Sequence, residues 1–146
     1  MLIARNLLAF LLGLVVGSGV NMGLIVTGHS VIPLPAGADA STTESLADSM
    51  HLFGPEQFLF PFLAHALGTF AGALLAFMIA GSRQQAIAYA IGAAFLIGGT
   101  MSVFMLPAPM WFNVVDLLLA YIPMAWLACR IGNHLRPAQV VNKTSE

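Results

Sequence analysis

Two side chains in this sequence are of types that do acid–base chemistry, yet both stand in surroundings that disfavour charge. Asp116 interrupts an apolar run, and His65 lies within 57–82, a stretch without Asp, Glu, Lys or Arg. A carboxylate inside a membrane-spanning helix costs roughly 2.5–3.5 kcal/mol on insertion scales, so it is expected to face other helices and to hold a partner. His65 is the one other ionisable group expected at that depth. On a helix, His65, Gly68, Thr69 and Gly72 share one face, while Asn113 and Asp116 point together as i, i+3 neighbours. These spacings predict a buried His65–Asp116 pair flanked by Asn21, Asn113, and Thr100 or Tyr121. As chemistry, the set reads as a substrate- or proton-binding site, with Asp116 as anion or proton carrier and His65 as its partner. The competing reading is polar glue that fixes helix register.

The elements that hold these residues follow from composition. Of 146 residues, 59% are hydrophobic and 8% charged, against about 25% charged in an ordinary soluble domain. A soluble globular enzyme and a disordered tail are excluded. Five basic residues against six acidic ones leave no footprint for nucleic acid. Cys129 is the single cysteine, which excludes an internal disulfide and a cysteine-built metal centre.

No charged residue occurs in 6–38, 57–82 or 84–115. About 20 apolar residues span a bilayer core, so the expected fold is an all-α membrane bundle, a single domain with crossings at 7–27, 57–80, 85–105 and 110–129 and a polar tail at 130–146. Arg5 ahead of a long apolar run resembles a secretory signal, but the run is too long, and a retained helix is expected. Within the connection 28–56, Pro33 and Pro35 break the chain. Ser41 to Glu44 then reads as a capping box. Behind it, Leu46, Met50 and Phe53 recur at helical spacing opposite Ser45, Asp48 and Ser49. That pattern predicts a short amphipathic helix, closed by Gly54, lying on the membrane surface.

Arg5, Arg83, Arg130, Arg136 and Lys143 all fall on one side of such a bundle, and none falls in 28–56 or 106–110. The positive-inside rule then puts both termini in the cytoplasm. It also argues against a dual-topology dimer and leaves the N-x-T triplet at Asn142 on the cytoplasmic side. With that orientation Asn21, His65, Thr100, Ser102, Asn113 and Asp116 all lie within about 12 Å of the outer helix ends, at 1.5 Å per residue.

Three G-x-x-x-G pairs, Gly13 and Gly17, Gly19 and Gly23, Gly68 and Gly72, allow close helix approach. They serve either internal packing or an interface with a second copy or another membrane protein. His29 and His51, with the outer acids, are weak metal candidates, but their spacing matches no ligand motif. Outward methionines are more simply packing than copper ligands. Only one histidine lies deep, so bis-histidine haem has no second ligand, and no cofactor is expected.

The phrases FPFLAHALGTFAGA, FMLPAPMWFNVVD and AYIPMAW, between Pro55 and Gly132, resemble small uncharacterised bacterial four-helix inner-membrane proteins. The resemblance implies a bacterial inner-membrane location and brings no activity, cofactor or residue role. Function is therefore read from the residues. The leading expectation is a small membrane protein with an outward-facing polar pocket that transports or permeates a small solute or proton. The next is a non-catalytic accessory or scaffolding subunit of a larger membrane complex. The last is a membrane-embedded enzyme using His65 and Asp116 as acid and base.

Overall fold

The computed structural model describes residues 1–136. Lys143, Asn142 and Glu146, and with them the part of the expected tail from 137 onward, lie outside the described residues. Within them the chain is helical, without strands: α1 (Leu2–Val31), α2 (Thr43–Ser49), α3 (Leu59–Ile79), α4 (Gln84–Met105), α5 (Met110–Leu119) and α6 (Ile122–Leu135), with short 3-10 turns at Met50–Leu52 and Pro55–Phe58. Four helical stretches are long and apolar enough to cross a membrane: Leu2–Val31, Pro55–Ile79, Gln84–Met105 and Met110–Leu135. The outside of the bundle agrees, since Ile97, Phe104 and Leu118 are more than half exposed. In water such a surface would aggregate, whereas hydrocarbon covers it without cost.

The first crossing is longer than 7–27. At 30 residues it measures about 45 Å, and it runs until Pro33 and Pro35, which cannot continue a helix. The second begins as a 3-10 turn with Pro55 at its first position. Gln57 reaches back, its Oε1 accepting from the Gly54 amide at 2.8 Å. The polar tail expected from Arg130 is instead helix as far as Leu135.

The fourth crossing is not continuous. α5 stops at Leu119, Tyr121 adopts φ −118° and ψ −80°, and α6 starts with Pro123 in its first turn. Proline there lacks an amide hydrogen, and its ring excludes the carbonyl four residues earlier, so the helix must break.

α1 packs chiefly on α3, antiparallel, through two interlocked glycine pairs. A Cβ built on Gly13 would stand 2.7 Å from the Gly72 carbonyl oxygen, and one on Gly17 would stand 2.7 Å from that of Gly68. Each backbone occupies the space a side chain would need. Gly19 and Gly23 face away, with nothing within 4 Å. Of the three glycine pairs, two are thus internal and one is free. Around α3, α4 and α6 the core is built largely of alanine, with Phe77, Ile91 and Cys129 filling between.

The end of the bundle that holds the α3–α4 turn is stitched together. Arg5 Nε donates to the Ile79 carbonyl at 2.7 Å, and Arg136 donates to the Met78 and Ala80 carbonyls at 2.8 and 2.9 Å. Asn6 Oδ1 accepts from the Gly81 and Ser82 amides at 3.0 and 3.2 Å. Both terminal helices thereby satisfy the last carbonyls of α3 and the turn beyond it.

At the opposite end, α2 is present but differs from its sequence reading. Its N-cap is Thr42, which pairs reciprocally with Ser45, rather than Ser41 with Glu44. It ends at Ser49, well before Gly54, and Ser49 is buried, accepting from the Asp39 amide at 2.9 Å. Of Leu46, Met50 and Phe53 only Leu46 belongs to α2, and all three line a cavity in the protein.

Candidate functional site

Asp116 stands on the last turn of α5, 4% exposed. His65 stands on the second turn of α3, facing it. The imidazole Nδ1–H donates to both carboxylate oxygens at 2.9 Å, and the Tyr121 hydroxyl donates to Oδ2 at 2.8 Å. The His65 and Tyr121 rings lie nearly parallel, their centroids 5.8 Å apart. A buried carboxylate thus has its acceptor sites occupied by two side chains, as burial demands.

Tyr121 reaches Asp116 because of the break. Residues i and i+5 of a continuous helix are about 140° apart in azimuth, too far for this contact. The turn at Ala120–Tyr121 brings the hydroxyl back. Room for it depends on Gly99, where any Cβ would collide with the Tyr121 hydroxyl. Pro123 was the sequence signal for this arrangement.

The other residues expected at the pair are distributed differently. Asn113 lies near it on α5 but turns its amide to the Ala108 carbonyl at 3.3 Å, closing the α4–α5 turn. Thr100 donates to the Leu96 carbonyl of its own helix at 2.8 Å. Asn21 packs across from Gly68, its Cβ 3.0 Å from where a Gly68 Cβ would lie, and makes no hydrogen bond to the pair. Depth placed these two at the right level, but their azimuth points elsewhere.

The pair forms the floor of a cavity of about 210 Å³ at the α2 end of the bundle. Its deepest lining residues are Ile25, His65, Gly99 and Asp116; farther in, Ala66, Ala120 and Tyr121 fill the bundle. Phe58 and Phe112 form one wall, their tilted rings 4.8 Å apart between centroids, with Trp111 edge-on against Phe58 at 5.7 Å outside the lining. Leu34, Leu46, Met50 and Phe53, from the connection after α1, cover the mouth. Gln57 and Ser102 also line it, and sequence reasoning had not assigned Gln57 to the site. Residues from the loop close over a chamber that ends at one hydrogen-bonded dyad.

His29 is exposed and borders the cavity, while His51 donates from Nδ1 to the Asp48 carbonyl at 2.7 Å. Among the described residues no three His, Cys, Asp or Glu side chains gather as a metal set. Thr69, one turn beyond His65, is fully buried, and its hydroxyl has no partner.

Within the described residues, fold and site together define a class: an all-helical bundle with four helices able to cross a membrane and a chamber, opening at one end, floored by His65 and Asp116 with Tyr121 behind them. No family of known proteins, no curated protein and no solved structure matches the chain at a significant level. The functional reading therefore rests on the geometry alone.

Proposed function

We propose that this chain is a multi-pass protein of a bacterial inner membrane that binds a small solute in an outward-facing chamber as one step of its transport or permeation. Both termini are assigned to the cytoplasm by the basic residues, four of which, Arg5, Arg83, Arg130 and Arg136, belong to the end of the bundle opposite the chamber. The chamber is assigned to the outside. The observation that carries the reading is the cavity that descends from the loop end and stops at His65 and Asp116. Polar glue needs no such space. A transport cycle requires a second state opened on the other side, where α3, α4 and α6 now meet in a dry core.

The test is flux in proteoliposomes, read by osmotic swelling with a panel of small neutral solutes and by an internal pH dye for protons. Permeation above lipid-only vesicles, falling at least tenfold in a folded Asp116→Asn variant, is expected. Vesicles no leakier than lipid alone to the whole panel and to protons would refute the proposal.

A second reading, an accessory subunit or self-associating scaffold, has one observation in its favour. Gly19 and Gly23 leave a bare stripe on α1 that no described residue covers, of the kind helices in lipid use to approach each other. Native mass spectrometry from nanodiscs separates the two, since the second requires a stoichiometric neighbour that a bulky Gly19→Leu substitution removes.

A further inference from the structure

We propose that the chamber selects a small molecule with an apolar body and one hydrogen-bond donor, a phenol or a short alcohol, and that the donor is received by His65 Nε2. The inference rests on the reading of the chamber as a binding site and names what that site recognises.

Most polar groups at the floor already hold a partner, Asn113 Oδ1 being an exception among the described residues. Both Asp116 oxygens are occupied, one by His65 and one by His65 and Tyr121. The Ser102 hydroxyl donates to the Gly98 carbonyl, and the Asn113 amide donates to the Ala108 carbonyl. Higher up, Gln57 Oε1 holds the Gly54 amide. His65 differs. Its Nδ1 is committed to Asp116, and its Nε2 makes no hydrogen bond among the described residues. Nor is Nε2 sealed off: among the described residues, the one fully buried side-chain polar atom lacking a partner is Thr69 Oγ1. The imidazole is 22% exposed against 5% for the Asp116 side chain. An occupant of the chamber therefore meets more of the ring than of the carboxylate, although both line it.

The tautomer follows. The carboxylate facing Nδ1 accepts, so that nitrogen carries the hydrogen, and in a neutral ring Nε2 then presents a lone pair. Asp116 and Tyr121 act as positioning residues: the first fixes the tautomer, and the second stacks on the ring and holds the carboxylate. A lone pair in an apolar chamber is satisfied by a donor, and leaving it unmet when a purely apolar molecule displaces water costs affinity. Size sets the rest. A dry cavity of about 150 Å³ accommodates benzene, so about 210 Å³ suits one ring with a substituent. Ile25, Leu46, Phe53, Phe58 and Phe112 supply the apolar walls.

Phenol and toluene, nearly equal in shape, separate the possibilities. Binding is measured in nanodiscs, with Val103→Trp, which fills the chamber away from the pair, as the control for partition into lipid. Wild type is expected to bind phenol about tenfold or more tightly than toluene, the ratio a single hydrogen bond of about 1.4 kcal/mol supplies. In His65→Phe that ratio is expected to fall to near one while toluene still binds. Should that variant not fold, ¹⁵N-histidine spectra of the wild-type protein report instead: phenol, and not toluene, shifts Nε2 of His65 and leaves His51 and His134, which do not line the chamber, unchanged. Equal binding of phenol and toluene overturns the donor rule yet leaves a solute chamber standing. Binding of neither above the Val103→Trp control overturns both.

Discussion

The Tyr121 hydroxyl donates to Oδ2 of Asp116, five residues earlier in the chain, across a break in the fourth crossing. That contact and the one from His65 tie α3, α5 and α6 together at a single carboxylate, so its removal has a graded structural effect. Asp116→Ala strands the buried Tyr121 hydroxyl and the half-buried His65 N–H and is expected to lower stability by about 2–5 kcal/mol, whereas Asp116→Asn keeps an acceptor oxygen and should cost less. Thermal unfolding in detergent, followed by circular dichroism, ranks the two. Equal loss in both would show that the hydrogen bonds contribute little.

Glycine substitutions should divide by face. Gly72→Ala places a methyl against the Gly13 carbonyl, and overpacking of this kind costs about 1–3 kcal/mol. Gly19→Ala meets open space and should leave the unfolding midpoint within error of wild type. The same melting experiment checks both.

Thr69 carries a buried hydroxyl without a partner. Thr69→Val replaces it with a methyl of the same shape, and the variant is expected to be about as stable as wild type or up to about 1 kcal/mol more so. A clear loss of stability would mean that the hydroxyl has a bonding partner in the membrane.

Asp39, in the loop over the chamber, accepts from the Ser41 amide at 2.8 Å and the Ser41 hydroxyl at 2.9 Å. The backbone amide above all, then the hydroxyl, holds its carboxyl below the usual carboxylate range. With the folded value lowered, the stabilisation is present above the ordinary Asp value and is lost as pH falls through the lower folded one. Carboxyl NMR titration should show Asp39 titrating at lower pH than a free aspartate. Ser41→Ala should move it partway back, since the amide bond remains.

Much of this architecture could be read directly from the residues. Charge-free runs marked three of the four membrane-length helices, and the fourth is apolar apart from Asp116; in lipid every backbone group must bond within its own helix, and apolar length is then decisive. Depth and helical face likewise brought His65 to Asp116. What escaped was azimuth and local geometry. Thr100 sits at the right level but bonds to its own backbone, which no hydropathy pattern reports. The apolar run 117–129 looks unbroken in composition, so the break at Tyr121 was visible only through Pro123. The cap of α2 moved by one residue, from Ser41 to Thr42, because adjacent hydroxyl residues offer nearly equal alternatives.

The arginine stitches carry a mechanical consequence. Arg5 and Arg136 pin α1 and α6 to the last carbonyls of α3, while the far ends of α1 and α4 meet mainly side chains around a void. The bundle is bound along one edge like a book, and its pages can fan only where the chamber lies. Spin labels at positions 31 and 103 should accordingly show a broader distance distribution than labels at 4 and 84.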